Sequence, residues 1–181
     1  MLRFHYSDQA DIPVFHPRAP LRHPDSEPRV YSIDPEHRAL YFFPRDCARV
    51  GVWCTPETSP QDGEALRMVT TKRMLILLDA SQAELWHTGH IYEYTFNGDE
   101  GWQDTGDHGC WISEITQTPT SVRLIPNLLE AARADGVEVI VVPNLWEAAE
   151  HWRAHATLHV SCIRLSTLGG PKGTPVGSPK P

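Results

Sequence analysis

Short apolar stretches alternate along the chain with polar, proline-rich connections, a pattern that predicts strands and short helices rather than long ones. Residues 2–7 (LRFHYS) make a first strand in which His5 and Ser7 share one face while Phe4 and Tyr6 share the other. The segment VFHPRAPLRHPDSEP then forms a long basic loop, because its prolines exclude a helix interior and remove ladder donors. A second strand follows at 29–34 (RVYSID), and Pro35 opens a short helix over PEHRALYFF. RVGVWC (49–54) reads as another strand, and TPETSPQDGE as a polar loop.

The run RMLILLD (73–79) is apolar and of strand length. SQAELWHTG after it is a short helix, with Ser81 as its cap, Glu84 three residues on and Gly89 as its stop. HIYEYTF (90–96) has the alternation of a half-buried strand, and the Gly/Asp-rich loop beyond it predicts a hairpin with CWISEI (110–115). IPNLLEAARADG is a helix stopped by Gly136, and VEVIVVP (137–143) is a β-branched strand. NLWEAAEHWRAHA is a helix capped by Asn144 with Leu145, Ala148, Ala149 and Trp152 inward, and TLHVSCIRL (157–165) is the closing strand. The order of elements predicts one α+β domain over 1–168, built on a bent, mostly antiparallel sheet. Residues 169–181 form a disordered tail, since nothing apolar there offsets the entropy of ordering. A doubly wound fold is disfavoured, because neither G-x-G-x-x-G nor G-x-x-x-x-G-K-[ST] is present.

Composition narrows the function classes. The 181 residues suffice for a core without disulfide or metal staples. No apolar run reaches the roughly eighteen residues of a membrane span, and no basic-then-apolar leader opens the chain, so the expectation is a soluble cytoplasmic protein. A formal net charge of −7 argues against general nucleic-acid or membrane binding. Cys47, Cys54, Cys110 and Cys162 form no C-x-x-C and read as reduced thiols; Cys47 as a nucleophile would need a partner His and a lowered pKa. His87 with His90 and His151 with His155 have suggestive spacing, but without H-E-x-x-H the second pair reads as a solvated helix face and no metal is expected.

The stretches FHYSDQADIPVFHPR, VYSIDPEHRALYFFPRDCARV, IYEYTF, WIS with the later Pro119, LLEAARADGVEVIVVPNLW and CIRL resemble a family of small bacterial proteins of unknown function. Its most specific piece is F-P-R-D-C, Phe43 to Cys47. More distantly, the His-x-Ser first strand, the aromatic second strand and the W-I-S strand resemble the ADP-ribosyltransferase superfamily. That resemblance implies an ADP-ribosyltransferase-like fold and NAD as cofactor. It implies that His5 binds the adenosine ribose, that Ser7 serves the nicotinamide side, and that Tyr31 and the strand from Trp111 to Ser113 complete the site. Cleaving the nicotinamide bond creates an oxocarbenium-like centre that needs a carboxylate beside it. Where the superfamily carries its glutamate this chain has His108, Gly109 and Cys110, which leaves Glu114 or Asp107 for the chemistry.

Other readings stay open at this level. Arg45 either braces the site or pairs with Asp46, and Trp111 either fills the core or floors a base pocket. A phosphate-handling site would draw on Arg18, Arg45 and Arg164. The expected partner is a nucleotide-like small molecule, with any ADP-ribose acceptor undefined. In the alternative, FPRDC and the proline-rich loop form the recognition surface of a non-enzymatic interaction module.

Overall fold

A computed structural model describes residues 1–19 and 24–170, so residues 171–181 of the expected tail lie outside the described residues. The strands are β1 (Leu2–Ser7), β2 (Val30–Ile33), β3 (Arg49–Trp53), β4 (Met74–Asp79), β5 (Ile91–Asn97), β6 (Gln103–Asp104), β7 (Cys110–Ser113), β8 (Ser121–Ile125), β9 (Glu138–Val142) and β10 (His159–Ile163). The α-helices are α1 (Pro60–Arg67), α2 (Ala83–Thr88), α3 (Leu128–Ala134) and α4 (Leu145–Arg153). The class is α+β, with the strands divided between two mostly antiparallel sheets instead of one. The chain forms two compact units, Met1–Arg45 with Gly89–Ala131, and Asp46–Thr88 with Ala132–Pro181. No helix among the described residues is long and apolar enough to cross a membrane.

The first unit holds a six-stranded antiparallel sheet in the order β6-β7-β2-β1-β5-β8. β1 is central and pairs along its whole length with β5, from Leu2 opposite Asn97 to Ser7 opposite Tyr92. The expected hairpin between β5 and the strand at 110–113 does not form. β5 lies between β1 and β8, whereas β7 lies between β2 and β6. The Gly/Asp loop supplies its own short strand, β6, which turns tightly into β7 through Gly106 and Gly109 at φ 74° and 84°. The register of β1 on β5 and β2 gathers Phe15, Val30, Tyr94 and Phe96 into one apolar cluster, burial that a local hairpin would not supply. β8 carries no alternation signal, because four of its five residues are exposed at the sheet edge.

The second unit holds a four-stranded sheet, β10-β3-β4-β9, in which only β4 and β9 run parallel. Val50, Val52, Leu75 and Leu77 from the strands pack with Leu145, Ala149 and Trp152 of α4. The inward stripe read from 3.6-residue spacing is therefore the buried one, with Ala148 at its margin. Asn144 caps α4 as expected, accepting from the amides of Trp146 and Glu147. Two local expectations are corrected. The polar stretch 55–64 ends in helix, because Ser59 accepts from the Asp62 amide and Pro60 occupies the first turn; only Gly63 and Leu66 are buried, too few to show as periodicity. Asp79, rather than Ser81, caps the turn before α2, its carboxylate accepting from the Ser81 amide at 3.0 Å.

Candidate functional site

On one face of the first sheet, pairing sets side chains from all six strands in a single row. Asp104 is opposite Trp111, Trp111 opposite Ser32, His5 opposite Tyr94, and Tyr94 opposite Val122. Phe4 opposite Ile33 then sets His5 beside Ser32 and completes the row. Strand alternation adds Arg3 and Ser7 to this face.

His5 is half-buried, and its Nδ1 lies 2.8 Å from the Tyr31 carbonyl oxygen. A carbonyl only accepts, so Nδ1 carries the proton and Nε2 of the neutral ring is left as an acceptor. Burial pushes the His5 pKa below its ordinary value; the bond to Tyr31 opposes that shift, and the charges of Arg18 and Arg45 add to it. The ring also packs edge-on against Phe15, with centroids 4.8 Å apart.

Beside it, Ser32 is buried and its Oγ has no hydrogen-bond partner among the described residues. Arg18 and Arg45 are both exposed, and neither forms an ion pair among the described residues, so the bracing pair considered for Arg45 is absent. Arg164, the third arginine considered for phosphate, belongs to the second unit, where it stands in the left-handed region at φ 60° after β10.

The other expected site residues divide. Ser7 shares the His5 face, and its Oγ accepts from the Gln9 amide at 3.2 Å. Trp111 is half-buried in the row, with the Arg3 guanidinium 3.5 Å from the centre of its ring. Ser113 is fully buried and fully bonded: it accepts from Gln117 Nε2 at 2.9 Å and from the Ile115 amide, and donates to the Ile115 carbonyl. Gln117 in turn pairs through its main chain with Phe15, so Ser113 positions the ring that packs on His5. Tyr31 points to the opposite face, and its carbonyl alone reaches His5. Glu114 lies beyond β7, exposed, 3.9 Å from the Arg29 guanidinium. Asp107 is exposed in the β6–β7 turn, where its carbonyl accepts from the Cys110 amide. Neither carboxylate belongs to the row.

Ser32, Arg3 and Glu93 escaped the sequence reading. A parity signal existed for each: Ser32 alternates in step with Val30, Arg3 with His5, and Glu93 with Ile91. Glu93 is buried on the reverse face, accepting from Tyr6 at 2.8 Å and from Arg123 at 2.6 and 3.1 Å. Cys47 is buried and its thiol is pushed up to about 11 by that burial, so it is not a nucleophile at neutral pH. His155 is not on a solvated helix face; it follows α4, and its Nδ1–H donates to Asp62 at 3.1 Å. Among the described residues no group of His, Cys, Asp and Glu is gathered to hold a metal ion.

The His5 face thus carries an imidazole acceptor and, among the described residues, a buried hydroxyl without a partner, while the charges of Arg18 and Arg45 act on the His5 ring. No curated protein and no solved structure matches the chain. A family model does match, over residues 4–167, and the chain belongs to that family, the family of unknown function DUF6886.

Proposed function

We propose that the first unit binds a nucleotide-like phosphate ester, with NAD and ADP-ribose as the leading ligands. One observation carries the reading: His5, with Nε2 left as an acceptor, stands beside the buried hydroxyl of Ser32 and within the field of Arg18 and Arg45, and among the described residues that hydroxyl has no hydrogen-bond partner and those arginines no acidic one. Buried hydroxyls are normally satisfied, so one left open in a row of polar side chains marks a place for a ligand group. Guanidinium groups suit phosphate oxygens because they donate two parallel hydrogen bonds. The neutral His5 ring suits a hydroxyl donor such as a ribose.

Binding is favoured over ADP-ribosyl transfer as the primary role. Transfer would need a carboxylate at the bound sugar; Glu114 and Asp107 both lie outside the row, Glu114 beside Arg29, and Asp104, the carboxylate within it, stands on β6 at the end of the sheet, separated from His5 by β7 and β2. The interaction-module alternative is weakened because Phe43 and Cys47 are buried, which leaves only Arg45 and Asp46 of FPRDC well exposed. Four free cysteines suit a reducing, cytoplasmic setting.

Calorimetric titration with ADP-ribose, NAD and inorganic pyrophosphate tests the proposal. Binding should weaken with salt, and the double substitution Arg18→Gln/Arg45→Gln should cost at least about tenfold in affinity, the scale of one charge-assisted hydrogen bond. Flat traces with all three ligands at low salt would refute it.

A further inference from the structure

The His5 face is covered. Residues 8–17 cross it as a strap, held at one end by β1, which stops at Ser7, and at the other by the main-chain pair of Arg18 with Arg29 at 3.2 and 3.3 Å. Phe15 lies beneath the strap, 7% exposed, edge-on to His5, Tyr94 and Phe96, and it packs with Val30, which shares the Ser32 face of β2. Among the described residues the middle of the strap is fastened at two places. The Tyr94 hydroxyl donates to the Gln9 carbonyl at 2.6 Å and accepts from the Ile12 amide at 3.1 Å. Phe15 exchanges both main-chain hydrogen bonds with Gln117, at 2.8 and 2.9 Å, and next to that pair His16 Nδ1 lies 3.2 Å from Thr116 Oγ1.

Proline keeps this pairing from growing into a strand. In an antiparallel ladder the residues that bond the same neighbour are two apart, so positions 13 and 17 would extend it. Both are proline and have no amide proton. The same register sets Pro13 opposite Pro119, and Pro17 opposite Ile115, whose amide already donates to Ser113 Oγ at 3.3 Å. The latch is therefore a single residue pair, and the sequence limits it to one.

We infer that residues 8–17 are a gate over the phosphate-ester site, whose Phe15–Gln117 latch opens to admit the ligand and re-forms once it is bound. The inference rests on the binding reading proposed above. Opening breaks two main-chain hydrogen bonds and uncovers one large ring, while the β1–β5 ladder stays paired along its length. Arg18 remains held by Arg29, so the strap lifts between two fixed ends. A gate of this kind sets the rates of entry and exit.

A disulfide across the latch tests it. His16 and Thr116 face each other beside the Phe15–Gln117 pair, at a non-hydrogen-bonded position where Cα atoms are about 4.5 Å apart, within the range a disulfide spans. In His16→Cys/Thr116→Cys, with the cross-linked peptide confirmed by mass spectrometry, uptake of radiolabelled ADP-ribose should be at least about tenfold slower than in the reduced form, which should match the wild type. Oxidation after saturation should slow release by a similar factor, an effect that damage to the site would not produce. In free wild-type protein the Phe15 and Gln117 amides should exchange hydrogen together, at least about tenfold faster than the amides of β1 and β5. Equal uptake by the oxidised and reduced forms, or latch amides that exchange as slowly as those of β1, would overturn the gate and leave the binding site standing. Failure of the wild type to bind ADP-ribose would remove that site and the gate with it.

Discussion

Replacing His5 with Ala tests how far its role is structural. The side chain contributes a 2.8 Å hydrogen bond to the Tyr31 carbonyl, worth about 1 kcal/mol net. Its edge-on contact with Phe15 at 4.8 Å adds about 0.5–1.5 kcal/mol. The variant should therefore lose about 1.5–2.5 kcal/mol at pH 7.5, more than a solvent-facing residue at a strand edge would cost. The loss should also depend on pH. Because burial holds the folded pKa below the ordinary value near 6.5, the unfolded chain binds more protons at this site as pH falls through that region. The His5 contribution is thus fully present above about pH 6.5 and is lost progressively as pH drops towards the folded pKa. The gap between wild type and His5→Ala should narrow accordingly. Urea unfolding at pH 7.5 and pH 5, followed by tryptophan fluorescence, reads both quantities, and the difference between the two proteins cancels the other nine histidines. A gap under about 0.5 kcal/mol at pH 7.5, or one that widens in acid, would refute the reasoning.

Three further outcomes follow from packing and burial. Tyr6→Phe removes the described partner of Glu93 Oε2 without changing ring volume, and denaturant unfolding should show a loss of about 1.5–3 kcal/mol; no change would mean that solvent already reaches that oxygen. Gly109→Ala should lower the melting temperature sharply, since the new methyl would lie 2.4 Å from His37 Nδ1 at a φ of +84°. A neutral result would place that turn differently. In native protein at pH 8 a thiol reagent should label exposed Cys54 quickly and buried Cys47 only on unfolding, with mass spectrometry of the labelled peptides as the readout.

Local signals in this chain are strong where one residue decides. Asn144 and Gly136 bound their helices as their chemistry requires, the first by accepting amide protons and the second by adopting φ 73°. The alternation of β1 already separates His5 and Ser7 from Phe4 and Tyr6, because side-chain direction in a strand depends only on parity. The same rule turns Tyr31 away from His5 once its neighbour Ser32 is known to share the His5 face.

Pairing partners were not legible. Parity says which residues share a face of one strand and nothing about which strand lies alongside, so the hairpin expected from β5 was replaced by a central β1 and a local β6–β7 turn. That choice depends on which register buries Phe15, Tyr94 and Phe96 together, a sum over residues some 80 positions apart. Of the candidate site, the sequence determined His5, Ser7 and Trp111 as polar or aromatic strand positions. Only the tertiary structure decided that Ser32 and Arg3 join them and that Ser113 is spent on positioning Gln117. The physical reason is that a hydrogen-bonding group becomes available for a ligand when its own neighbours leave it unsatisfied, and those neighbours are assembled by long-range strand pairing.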